Sequence, residues 1–262
     1  MNRFIWVALL ASAATAQDGA LDAARRGALS YSHSLPNFVC SEAISRYNDY
    51  TDRGAWVTVD RLTVQVTFSG EREDYKLMAR NGRPTDLTLE EVSGTLTKGE
   101  FGSALLLIFQ PSSGAEFQFR RWQNVQKRRL AEFTYQVSAA KSRYFLKAGA
   151  QTVIVGYHGA VAIAPDTGEV FQWSVEAEPP SGFPMTESSV RLQYDYRKID
   201  GMPYLLPVHA EMRTTERGLS EKLLEQVPLA RRNAARRPVH HRNIVEFQSY
   251  RKFGVESTVT FK

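Results

Sequence analysis

Along most of this chain, from Trp56 onward, apolar and polar residues alternate with a period of two, and no other feature restricts the fold as severely. Leu62, Val64, Val66 and Phe68 alternate with Thr63, Gln65 and Thr67, which puts the apolar side chains on one face of a strand. Val57 and Val59 have the opposite parity, so a bulge near Asp60-Arg61 is needed to bring them inside. Ser69-Gly70-Glu71 turns the chain, Tyr75, Leu77 and Ala79 alternate on the return strand, and Asn81-Gly82 ends it. The pattern resumes at Phe117 and Phe119, at Phe133, Tyr135 and Val137, at Val153, Val155 and Tyr157, and at Val161 and Ile163. Asp166-Thr167-Gly168 then leads into Phe171, Trp173 and Val175, followed by Val190, Leu192, Tyr194 and Tyr196. Asp200-Gly201 precedes Tyr204, Leu206, Val208, Ala210 and Met212; Val245, Phe247 and Ser249, then Val259 and Phe261, finish the series. One-faced strands joined by short turns point to an antiparallel, meandering sheet of about ten strands, not to a parallel sheet with helices between its strands.

Two segments have helical spacing instead. Leu21, Ala24, Ala28, Leu29 and Ser32 recur behind Asp18, a good N-cap, and Pro36 closes the segment. Phe101, Ala104, Leu105 and Ile108 form a stripe that Leu106, Leu107 and Phe109 broaden, with Pro111 as the stop. A helix apolar nearly all round must be buried, most simply against the concave face of the sheet.

Residues 178–184, rich in proline, are a possible domain boundary, although strand pairing across them keeps residues 17–262 one β-rich domain, which is the expectation. Residues 215–242 interrupt two strands as an insertion. Its second half holds Arg231, Arg232, Arg236, Arg237 and Arg242 and no acidic residue. With Leu219, Leu223, Leu224 and Val227 on one face of a short helix, the four arginines from 231 to 237 suit an anionic membrane surface; the alternative is a flexible charged loop.

The first sixteen residues read as an export signal. Met1-Asn2-Arg3 is a basic start, Phe4 to Ala14 is an apolar run of secretory length, and Ala14-Thr15-Ala16 is a small-x-small site before Gln17. The apolar run is about half of what a membrane span requires. Gln17 stands where a lipoprotein would have its cysteine, so the expectation is a periplasmic or secreted protein without a lipid anchor. The one cysteine, Cys40, has no partner for a disulfide within the chain and reads as a buried small hydrophobe. A net charge of +5 favours anionic partners, headgroups or acidic polymers in preference to nucleic acid.

Local catalytic signatures are missing: there is no Gly-x-Ser-x-Gly, His-Glu-x-x-His, Walker loop or Gly-x-Gly-x-x-Gly. His240-His241 is the best candidate metal pair, but neighbours on a strand point to opposite faces; a solvated loop is the plainer reading. His158 and His209 read as turn or surface residues, and Glu71/Asp74 and Glu90/Glu91 as solvated acids beside turns. No cofactor and no metal are expected.

Tyr194-Asp195-Tyr196, the run Asp200 to Pro207 and the run Asn243 to Tyr250 resemble the closing strands of LolA-like periplasmic lipoprotein carriers, in which a hairpin ending in Leu-Pro precedes a strand ending in Phe-x-x-Tyr. The Asp166-Thr167-Gly168 hairpin fits the same plan, and Leu35 to Cys40, Trp56 and Asn81 to Pro84 are similar to a group of uncharacterised secreted bacterial proteins. The resemblance implies an unclosed half-barrel whose concave apolar face is lidded by helices and binds acyl chains or a hydrophobic partner segment. The 215–242 insertion departs from that plan, and the carriers' arginine has no aligned counterpart. The expected function is therefore non-catalytic binding of a hydrophobic, lipid-like or lipoprotein ligand, with Phe101, Leu105, Ile108, Phe109, Phe117, Phe119 and Trp173 lining or covering the apolar face. Alternatives are an envelope protein-interaction or stress-sensor module and an enzyme without a recognisable motif. Oligomeric state is left open.

Overall fold

A computed structural model describes residues 5–92, 94, 99–219 and 221–253. A helix α1 (Ile5–Ser34) leads into three long strands, β1 (Phe38–Asp49), β2 (Val57–Ser69) and β3 (Arg72–Arg80), and a short β4 (Arg83–Pro84). Helix α2 (Ser103–Phe109) follows, then β5 (Glu116–Val125), β6 (Arg128–Val137), β7 (Phe145–Ala148), β8 (Gln151–Ile154), β9 (Tyr157–Ile163) and β10 (Val170–Ala177). The remainder is β11 (Met185–Ile199), β12 (Met202–Glu216), α3 (Glu221–Leu224), α4 (Leu229–Ala235) and β13 (Val239–Lys252).

Eleven strands form one open antiparallel sheet in the order β4-β3-β2-β1-β13-β12-β11-β10-β9-β6-β5, an unclosed half-barrel. Strands β1 and β13, the first and last among the described residues, pair within it, Ile44 opposite Val245. β10 and β11 pair across the proline loop, Ala177 opposite Ser188. β7 and β8 form a separate hairpin. Two-residue turns with both residues at positive φ join several strands: Asn81-Gly82 and Asp200-Gly201, whose backbone twist matches that of the flanking strands.

The period of two delivers one continuous core. Phe38, Val64, Val66, Phe68, Ile163, Trp173, Leu192, Leu206 and Phe247 point inward, and Ala24 and Ala28 of α1 and Leu105, Ile108 and Phe109 of α2 pack onto them. Burying each of the larger side chains stabilises the fold by about 1.5–3 kcal/mol. Small alanines on α1 allow close approach: a Cβ on Gly168, in the 166–168 turn, would come within 2.5 Å of Ala23.

Several local expectations are corrected. The extra residue near Asp60 is real, since Arg46 pairs with Asp60 and Tyr47 with Thr58, but Val57 and Val59 still face out; the inward place belongs to Asp60, held by Arg46. A bulge between Val170 and Gln172 turns Phe171 to the other face, where it packs with Leu130, Ala162 and Ala164. Val153 belongs to the β7–β8 hairpin and Tyr157 to the main sheet, so they are not one strand. Ser249 sits at φ 57° in a β1–β13 irregularity that returns Tyr250 to the core. Leu29 is exposed, and Tyr31 packs inward from α1 in addition to the alanines. The insertion is shorter than 215–242, because β12 runs to Glu216 and β13 starts at Val239; within it Leu224 alone of the predicted leucines is buried, and Leu219 and Leu223 are exposed. His240 and His241 are therefore strand residues, not loop, and His158 lies within β9. Val259 and Phe261, and the basic start Met1 to Arg3 with Phe4, lie outside the described residues. Ile5 to Ala16 are continuous with the rest of α1, and among the described residues no helix is long and apolar enough to cross a membrane.

Candidate functional site

The segment that leads into α2, and α2 itself, lie across the concave face and are tied to it by polar side chains from three strands, β3, β9 and β11. The N–H of Gly99 is shared between Glu73 Oε2, 3.1 Å away, and Tyr75 Oη, 2.9 Å away. The N–H of Phe101 donates to Glu73 Oε1 at 3.2 Å. Tyr194 donates its hydroxyl proton to the Glu100 carbonyl at 3.0 Å and accepts the Trp173 indole N–H at 3.1 Å. Farther along, Tyr157 donates to the Leu107 carbonyl at 2.6 Å. Gly102, at φ 142°, opens α2 where a Cβ would press on Ser32 of α1, so the lid and the first helix are in close contact there.

Beneath this lid the carboxyl groups of Glu73 and Glu100 both meet the Tyr75 hydroxyl, the second at 2.7 Å. That hydroxyl has one proton to give, so bonds to both carboxyls require one of the two to be protonated and to donate. Glu73 fits: burial, with Glu100 nearby, outweighs its hydrogen bonds from Tyr75 and the Phe101 and Gly99 N–H groups and pushes its pKa up to about 7. Burial and the same two acids raise Glu42 well above the carboxylate range, and its buried Oε1 has no hydrogen-bond partner among the described residues. Burial also raises the Cys40 thiol above its usual value, which disfavours the thiolate.

Beside the lid lies a cavity of about 380 Å³, within the range of roughly 300–1,000 Å³ typical of small-molecule sites. Ser103, Ala104 and Leu107 of the lid form one wall; Tyr144, Leu146 and the β7 strand form another; Tyr157, Trp173, Val175, Met185, Val190 and Met212 form the floor. The Tyr157 phenol is pushed up to about 12, first by burial and then by Tyr144. Ser188, also on the floor, is buried with its side chain toward Tyr144. Arg143 and Lys147, both exposed, stand at the rim. The walls suit an apolar chain, and the rim suits a negative group.

Of the seven residues expected to line the apolar face, Trp173 lines the floor of this cavity. Phe101 precedes α2 instead of belonging to it, and is enclosed by Phe38, Phe68, Phe247 and Tyr250. Leu105 lines a neighbouring space of about 320 Å³ between α1 and the 167–170 turn. Ile108 is core, Phe109 stacks on Phe117 at 5.4 Å, and Phe119 packs on Phe133 and Trp122 near the β5 edge. Arg231 and Arg232 are on α4 with Arg236 and Arg237 just beyond it; Arg232 is spent on the Val227 and Glu225 carbonyls, and none of the four lines the cavity. His240 reaches Thr215 at 3.0 Å and His241, on the other face, Asn48 at 2.8 Å. Among the described residues no group of three His, Cys, Asp or Glu side chains is placed to hold a metal ion.

Sequence periodicity pointed to part of what it left out. Val190 and Met212 share the inward parity of their strands with Leu192 and Ala210, and Glu73 shares that of Tyr75 and Leu77. Glu42 lies between inward Cys40 and Ile44 on β1. Tyr144 and Leu146 had no such signal, since their hairpin is too short to show a period.

No protein-family model matches the chain, and no curated protein matches it. Among solved structures it is similar to a LolA superfamily protein from Nitrosomonas europaea, at 12% identity, TM-score 0.34, over 94% of this chain and 97% of that one. It is also similar to a DUF1329 family protein from Desulfovibrio piger, at 8% identity, TM-score 0.37, over 92% and 95%. A third similarity is to the MucA/MucB complex of Pseudomonas aeruginosa, at 9% identity, TM-score 0.25, over 89% and 100%.

Proposed function

We propose that this protein is an exported, non-catalytic binding protein that shelters the apolar chain of a lipid-like or lipoprotein ligand in the cavity beside α2. The supporting observation is the cavity itself: its walls are mostly carbon, its volume is about 380 Å³, and one wall is a short lid held by a handful of hydrogen bonds. An apolar space of that size beside a movable wall favours entry of an apolar chain, because each buried methylene is worth about 0.8 kcal/mol. In this reading residues 1–16 direct export and are removed before Gln17, and residues 17–262 act as one unit.

Titration of the purified protein with a fluorescent fatty acid, followed through Trp173, tests the cavity. Saturable binding is expected, and Ala104→Phe, which projects a ring from α2 into the space, is expected to weaken it at least about tenfold. A protein that yields no lipid on solvent extraction and takes up no probe overturns the proposal. Intact mass of the protein recovered from a secreting host tests the export signal, with Gln17 expected as the first residue.

A further inference from the structure

We propose that the β7–β8 hairpin docks the protein onto an anionic membrane surface, with the cavity mouth facing the lipid. The hairpin is held from below by Leu146 and Val153, which pack with Val155, Phe183 and Met185. Its outer face is different in character. Phe145 and Ile154 lie directly opposite one another across the two strands and are 60% and 58% exposed, so two large apolar side chains share one patch of solvent-facing surface. Lys147 is on the same strand face as Phe145, and Lys141 and Arg143 precede it.

Charge selects the occupant. Between Glu132 and Asp166 the chain has no acidic residue, whereas Lys141, Arg143 and Lys147 are all exposed and form no ion pair among the described residues. Exposed apolar side chains flanked by unneutralised cations match the boundary between headgroups and acyl chains: the rings and aliphatic groups enter it while the cations remain at the phosphates. The patch is also continuous with the cavity, since Arg143, Phe145 and Lys147 form part of its rim. A ligand leaving an anionic bilayer would pass over this hairpin into the apolar space. That last step rests on the binding function proposed above; the docking does not. The α4 arginines, expected from the sequence to make such a contact, also lie near exposed leucines, Leu219, Leu223 and Leu229, but none of these residues borders the cavity.

Co-sedimentation of the full chain with vesicles of phosphatidylcholine, with and without phosphatidylglycerol, tests the docking. Binding is expected to the phosphatidylglycerol vesicles and to fall with added salt. The double variant Phe145→Ser, Ile154→Ser and the triple variant Lys141→Gln, Arg143→Gln, Lys147→Gln should each weaken it about tenfold or more, given roughly fivefold per cation near such a surface. These side chains are exposed, so thermal melts of both variants should match the parent. Replacing Arg231, Arg232, Arg236 and Arg237 by Gln should leave binding nearly unchanged, and Ala104→Phe should weaken probe uptake at least about tenfold while vesicle binding persists. The proposal is overturned if the parent protein ignores phosphatidylglycerol, if the hairpin variants bind as the parent does, or if only the α4 variant loses binding. Concentration-dependent self-association that the hairpin variants abolish, without vesicle binding, would overturn it in favour of a second copy of this chain.

Discussion

Glu73, on β3, accepts the backbone N–H of Phe101 at 3.2 Å, and so a half-buried acid whose pKa is pushed up to about 7 holds down the segment that covers the concave face. The unfolded chain releases that proton near pH 4.5, the folded one near 7. Between those values the native state binds the extra proton, so stability falls as pH rises through the window, by about 3 kcal/mol from this group. Urea denaturation from pH 5 to pH 8, on the order of the window just named, should show the parent weakening. Glu73→Gln, uncharged throughout, should make that slope shallower, with Glu42, raised by burial in the same direction, carrying the remainder. Equal slopes in the two proteins would mean that Glu73 does not carry the proton.

Asp60 has the opposite sign. Burial would raise its pKa, but Arg46 and then Arg80, at 2.6 and 2.7 Å, outweigh burial and hold it below the usual carboxylate range. Its contribution is complete at neutral pH and is lost as pH falls through that depressed value. Asp60→Asn leaves the buried Arg46 guanidinium without this carboxylate, and a loss of about 3 kcal/mol at pH 7 is expected from denaturant unfolding. The difference between variant and parent should shrink in acid.

How much of this was legible depends on whether a position's period survived in the sequence. Leu62 to Phe68 and Val190 to Tyr194 alternate cleanly, and their burial follows the pattern. Phe171 does not, because a single bulge residue at 170–172 reverses parity and leaves no local mark. The acids were legible by the same rule and contrary to composition: Glu42 and Glu73 occupy inward positions, where a carboxyl is expensive and so informative. The cavity was the least legible part. It arises where β7, α2 and the β9–β12 floor fail to meet, a property of distant segments that no window of sequence contains.

Tyr157 binds the lid from the floor of the cavity, so its hydroxyl should govern exchange more than stability. Tyr157→Phe removes the bond to the Leu107 carbonyl at a cost of about 1 kcal/mol while keeping the ring against Tyr144 and Tyr135. Stopped-flow release of a bound fluorescent fatty acid is expected to speed up several-fold, with little change in the melting temperature. Unchanged release would show that the hydroxyl gates nothing.

Gly168 places a backbone turn against a helix backbone, and two independent restrictions meet there. Its φ of 76° is unfavourable for a residue with a Cβ, by about 1 kcal/mol. A Cβ would in addition lie 2.5 Å from Ala23 and 2.7 Å from the Ala24 nitrogen, so either the turn or α1 must retreat. Because Ala24 is fully buried on the same helix, retreat opens the core between α1 and the sheet. Gly168→Ala should therefore cost about 2–4 kcal/mol, more than strain alone. The signature is spatial: amide exchange should accelerate along residues 20–31 of α1 and at the 166–169 turn, while the β1–β13 pairing stays protected. Gly149→Ala makes the control, since φ there is 58° but nothing stands within 4 Å of the added carbon. It should show the strain cost alone, and an equal loss in both variants would mean that α1 yields to the turn without penalty.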